Sequence, residues 1–124
     1  MKVMTRAEFR VAAANRMSED DLQIQVIAIA HQLGFLAYHT HDSRKSEKGF
    51  PDLVLVHGAR GRLLFRELKK QSGQLSEDQR RWLAALHGAA DVGVWRPIDL
   101  LEGRVLAELR APQPTTTTHP GGSR

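Results

Sequence analysis

The chain has 124 residues, 41% of them hydrophobic, which suffices for one compact domain and not for two. No apolar run approaches the ~20 residues of a membrane span and no stretch near the start resembles a secretory signal, so a soluble, cytoplasmic protein with no membrane contact is expected. Lys and Arg number 18 against 14 acidic residues, which favours a polyanionic partner, and the lack of cysteine excludes disulfide scaffolds and thiolate metal sites.

Thr5 and Glu8 have capping-box spacing ahead of an Ala-rich stretch, so residues 1–17 read as a short helix or a loose arm. Ser18 is a good N-cap, and Glu19, Asp20 and Asp21 suit the positive end of a helix dipole. Leu22, Val26, Ile29, Ala30 and Leu33 recur at helical spacing, with Gly34 as the stop. Phe35 to His41 reads as a strand, and Asp42 to Gly49 as a polar loop carrying Arg44, Lys45 and Lys48. The apolar, β-rich run Asp52 to His57 predicts a central strand buried on both faces. Gly58 to Gly61 forms a turn, and Arg62 to Lys69 is the return strand. Beyond a Gly73 loop, Ser76 opens a second helix that Gln79 completes as a capping box and that runs to about Gly88. Asp91 to Trp95 is the last clear strand, and Pro97 to Leu109 adds a short helix and an end piece. From Ala111 to residue 124 the Pro, Thr and Gly content predicts a disordered tail. The elements make an α/β domain over residues 18–110 with a hairpin at its centre.

The hairpin concentrates the chemistry. An even-length turn centred between Ala59 and Arg60 pairs Val56 with Leu63, Val54 with Phe65 and Asp52 with Glu67, whereas a three-residue turn or a bulge would slip that register. Directly opposed residues share a face with side-chain roots ~4.5–5.5 Å apart, and alternation adds Lys69 to the face of Glu67. Two opposed carboxylates destabilise a sheet unless something compensates. A hard divalent cation, Mg2+ or Mn2+, is the natural compensation, since it takes oxygen ligands from one or two carboxylates together with phosphate and water. Such a cation polarises a phosphoryl group and lowers the pKa of water, with Lys69 placed to neutralise a phosphate oxygen. The alternative for Glu67 and Lys69 alone is a solvated salt bridge.

These residues carry a resemblance. Gly49-Phe50-Pro51-Asp52-Leu53 followed by Glu67-Leu68-Lys69 is similar to the signature of the PD-(D/E)XK nuclease superfamily. Ser43-Arg44-Lys45-Ser46 ahead of it, and Gly73-Gln74-Leu75-Ser76, Gln79 and Trp82 behind it, resemble the VRR-NUC family, from about Ser18 to Pro97. The resemblance implies a restriction-endonuclease-like core of order αβββαβ, a mixed central sheet flanked by helices. It implies that Asp52, Glu67 and the Leu68 carbonyl bind the metal and that Lys69 is the catalytic lysine. It also implies an acidic or amide residue on the first helix, where Glu19 and Gln23 both match and Glu19 is preferred, and a helix glutamine near the site. Gln79 fits that last role, and its capping box explains it equally well.

His39 and His41 share a strand face, where a DNA contact or a hydrogen bond into the site is favoured over metal ligation. Arg44, Lys45 and Lys48 on one side of the site and Lys70, Arg80 and Arg81 on the other suit phosphate-backbone positioning. The leading expectation is a deoxyribonuclease cutting branched, Holliday-junction-like DNA in a bacterial or phage-infected cytosol. Family resemblance further implies a homodimer, with Trp82, Leu83 or the N-terminal arm as its surface. The alternatives are an exonuclease or flap nuclease of the same fold, a ribonuclease, or a non-catalytic DNA-binding module.

Overall fold

A computed structural model describes residues 3–40 and 47–114. Its elements are α1 (Arg6–Arg16), α2 (Glu19–Gln32), β1 (Leu36–His39), β2 (Leu53–His57), β3 (Arg62–Leu68), α3 (Glu77–His87), β4 (Asp91–Trp95), α4 (Pro97–Leu101) and α5 (Arg104–Arg110). The strands form one sheet in the order β1-β2-β3-β4, antiparallel except for β4, which runs parallel to β3. A parallel neighbour needs a crossover, and α3 supplies it. From α2 to β4 the chain thus follows the expected αβββαβ order, a mixed sheet flanked by helices.

Each helix start follows its local chemistry. Residues 6–16 are helical, and the Thr5 hydroxyl and the Glu8 carboxylate each accept the other's backbone N–H, at 3.0 and 2.9 Å. The Ser18 hydroxyl accepts from Asp21 N at 3.0 Å to open α2. Gly34 closes α2 at φ +88, where a Cβ would come within 2.9 Å of the His57 ring, so a side chain there is both strained and crowded.

One sheet face carries the core. Leu53, Leu55, Leu64, Leu68 and Trp95 pack with Leu22, Val26 and Ala30 of α2 and with Val105 and Leu109 of α5. The other face corrects the expectation that β2 is buried on both sides. Phe50 and Trp82 meet edge to face at 5.2 Å near one end of it, while Leu36, Tyr38, Val56 and Leu63 lie exposed. The cause is that the crossover helix α3 packs beside β4 and leaves the β1–β2 end of this face uncovered among the described residues.

On the core face itself, toward the β3–β4 edge, lies an ion network that the sequence did not announce. Arg62 and Arg66, both nearly inaccessible, bind Asp91 at 2.6 and 2.9 Å. Glu108 on α5 accepts from Arg66 at 3.1 Å and from the Trp95 indole at 2.8 Å, and the Arg66 guanidinium lies 4.9 Å from the centre of the Trp95 ring. Burial alone would raise the Asp91 and Glu108 carboxyls. The Arg62 and Arg66 contacts outweigh it at Asp91, and those of Arg104, Trp95 and Arg66 do so at Glu108, so both are held below the usual range. The network ties the start of β3, the start of β4 and α5 together, and fixes the strand that carries Glu67.

Residues 111–114, expected to begin a disordered tail, are bound to this edge. Gln113 accepts from Leu63 N at 2.8 Å and donates to Leu63 O at 3.2 Å, one residue before β4 begins to pair with β3. Arg60 and Arg62 also donate to the Ala111 carbonyl. The tail expected beyond residue 114 lies outside the described residues.

Candidate active site

The site grows from the hairpin register. Val54 pairs with Phe65 and Val56 with Leu63, as an even loop requires, the loop being a short 3-10 turn over Gly58–Arg60 closed by Gly61. Continued one residue beyond the Leu53–Arg66 pair, this register sets Asp52 opposite Glu67. Asp52 is anchored on the opposing strand, where its Oδ2 accepts from Leu68 N at 2.8 Å. Glu67 is only 2% exposed. Burial, and then the charge and hydrogen bonding of Asp52, push its carboxyl up to about 9, with Glu19 adding to the effect and the Lys69 ammonium opposing it. Glu67 is therefore a protonated acid near neutral pH, sharing its site with a second carboxyl.

Gln79 caps α3 and also reaches Glu67. Its Oε1 accepts from Ser76 N at 2.8 Å and its own N donates to Ser76 Oγ at 3.1 Å, which completes the cap of α3. With Oε1 committed to the cap, the amide must turn Nε2 outward, and Nε2 donates to Glu67 Oε2 at 2.9 Å. The capping box thus orients the donor that orients Glu67.

Asp52 stands between two cavities. The smaller, about 270 Å³, is lined by Glu19, Asp20, Gln23, His39, Thr40, Asp52 and Leu68. Both first-helix candidates reach it: Glu19 lies on an exposed turn and acts on Glu67 through its charge, while Gln23 Nε2 makes a long 3.5 Å contact to His39 Nδ1. The larger cavity, about 730 Å³, has Tyr38, Lys48, Phe50, Gln79 and Trp82 in its wall and shares Thr40 and Asp52 with the smaller one. Gly49 lets the loop before Asp52 approach α3. Its φ is +92, and a Cβ there would collide with the Asp78 backbone.

Of the basic residues expected to meet the DNA backbone, Lys48 lines the larger cavity beside Asp52. Lys70, Arg80 and Arg81 are exposed, with Arg81 paired to Asp78 at 3.1 Å and the Arg80 Nε donating to the Leu75 carbonyl at 3.3 Å. Arg44, Lys45 and His41 lie outside the described residues. Sequence reasoning missed Tyr38 and Thr40 at the site. Carrying the β1–β2 register one step past His39–Leu53 would have set Thr40 beside Asp52, but the long connection between those strands gave no turn from which to count.

The family model for the VRR-NUC domain matches residues 5–96, which takes in every element from α1 to β4. The chain belongs to the VRR-NUC family. No curated protein and no solved structure matches it. The VRR-NUC domain is a nuclease domain with DNA as its substrate, and the Asp52–Glu67 pair falls within the matched region. Among the described residues no three carboxylate or imidazole groups converge closely enough to enclose a metal by themselves. The candidate site in this VRR-NUC domain offers instead two carboxyls, cavities beside Asp52 and, in Lys69, a neighbouring positive charge.

Proposed function

We propose that this VRR-NUC domain is a divalent-metal-dependent endonuclease of the PD-(D/E)XK type that nicks branched, Holliday-junction-like DNA. The observation that carries the reading is the Asp52–Glu67 pair: two carboxyls on facing strands, Glu67 almost inaccessible with its carboxyl pushed up by burial and by Asp52, and Asp52 lining two cavities. This arrangement is costly for folding and suits a site that exchanges a proton for a cation. An all-oxygen donor set of two carboxylates and a main-chain carbonyl suits Mg2+ or Mn2+, which completes its shell with water and phosphate. Asp52, Glu67 and the Leu68 carbonyl are the ligands in this reading. A cation held there supplies Lewis-acid polarisation of the phosphoryl group and acidifies water.

The residues of the chain supply the rest. Lys69 places a positive charge beside the reacting phosphate, and Glu19, which lines the smaller cavity with Asp52, takes the first-helix role. Gln79 holds the Glu67 carboxyl in orientation, while Lys48, Lys70, Arg80 and Arg81, together with Arg44 and Lys45, position the DNA backbone. A homodimer supports paired nicks in a two-fold symmetric junction, and the exposed Met4, Phe9 and Val11 at the N-terminal end offer it an apolar contact. The bacterial or phage-infected cytosol is the compartment in which such a substrate is met.

A labelled panel of four-way junction, flap, duplex and single strand, incubated with Mg2+ or Mn2+, tests the reading. Symmetric nicks in the junction are expected. Cleavage confined to flaps or ends would replace it with the exonuclease or flap reading, and binding without cleavage under either metal would leave a DNA-binding module.

A further inference from the structure

We infer that the larger cavity is a pocket for one unpaired nucleobase of the DNA strand being cut, with Tyr38 as its stacking platform. The inference rests on the nuclease reading, since it takes Asp52 as the place of the reacting phosphate. Asp52 lines both cavities, so a strand whose phosphate reaches it must lay a flanking nucleotide against the larger one. At about 730 Å³ that cavity falls in the ~300–1,000 Å³ range of small-ligand clefts.

Its chemistry selects a base over a phosphate. Tyr38 is 64% exposed on the cavity wall, although a ring of that size is normally covered, and Phe50 and Trp82 form an edge-to-face aromatic pair in the same wall. Glu47 and Asp78 also line it. Glu47 repels a phosphate, and both it and the remaining oxygen of Asp78, whose Oδ1 is held by Arg81, accept hydrogen bonds from the amino and imino N–H groups of a base. Lys48, in the same wall, is placed for the phosphate that follows. A base within a continuous duplex has both faces stacked and its pairing edge occupied, so it cannot use this pocket without leaving the helix. Junction centres, flaps and strand ends present such a base at little cost. The pocket therefore gives the enzyme structure selectivity with no groove-reading element.

The test is a pair of DNAs that differ by a single unpaired 2-aminopurine, bound by the full chain in chelator so that nothing is cut. The wild type is expected to prefer the DNA with the unpaired base and to quench its fluorescence. Tyr38→Ala should lose the quenching and weaken that complex by about 5- to 150-fold, the range of one base–aromatic stack, with the fully paired duplex unaffected. Tyr38→Phe, which keeps the ring, should retain both signals. Equal weakening of both DNAs by Tyr38→Ala, or an undiminished preference, would overturn the pocket. Because binding is read without catalysis, a chain that never cleaves would refute the nuclease reading and leave this result interpretable.

Discussion

Replacing Glu67 by Gln should stabilise the metal-free protein, and by more as the pH rises. The Glu67 carboxyl titrates near 9 in the fold against 4.5 for the free side chain, because burial and the adjoining Asp52 oppose its ionisation. Between those values the folded chain holds one proton more than the unfolded chain, so stability falls with rising pH by about 1.4 kcal/mol per unit. Over the roughly 2.5 units from 4.5 to 7 the loss reaches about 3 kcal/mol. Gln keeps an oxygen acceptor for Gln79 and never ionises. Urea and thermal unfolding in chelator, from pH 5 to 8.5, should show the two proteins nearly equal at the acid end. At pH 7 the variant should melt on the order of 10 °C higher. Saturating Mg2+ should flatten the wild-type dependence and leave the variant unchanged. Parallel stability curves for the two proteins in chelator would refute the buried-acid argument.

Further consequences follow from the same geometry. Gly49→Ala forces a Cβ into the Asp78 backbone at a positive φ, so the loop bearing Asp52 should shift; cleavage should fall by about 100-fold for a stability loss of about 1–2 kcal/mol in urea. Asp91→Ala strips Arg62 and Arg66 of a shared buried partner and should cost about 3 kcal/mol at pH 7. Because the Asp91 carboxyl is held below its ordinary range, its contribution is present above that range and lost as the pH falls through the lowered value; the difference between wild type and variant should therefore shrink in acid. Ser76→Ala should cost about 1 kcal/mol through the cap alone, and Gln79→Ala about 2 because it also removes the donor to Glu67. Only the Gln79 variant should slow cleavage in a single-turnover assay.

How much of this was legible depended on distance along the chain. The Asp52–Glu67 opposition followed from counting outward from one short even turn, and helix starts followed from caps three residues apart. Those are local rules, and tertiary context did not override them. The Arg62–Arg66–Asp91–Glu108 network was illegible because its partners lie on β3, β4 and α5 and meet only after the sheet and α5 have assembled. Arg62 and Arg66 share a strand face with Leu64 and Leu68, and nothing in β3 alone says which acids will pair with them there. The fate of the second sheet face was hidden for a related reason, since nothing in β2 states how far α3 will reach. Tyr38 read as an ordinary strand residue, and only the fold sets it in the wall of a cavity that Asp52 also lines. Gln79 kept two readings in sequence because its cap is local, whereas its hydrogen bond to Glu67 crosses from α3 to β3.

The most direct test of the account is single-turnover DNA cleavage in Mn2+ by the wild type and by Asp52→Asn, with DNA binding measured in parallel in chelator. The account predicts that chelation and the substitution each abolish cleavage while the variant still binds. A variant that cuts at the wild-type rate, or cleavage that persists in chelator, would contradict it.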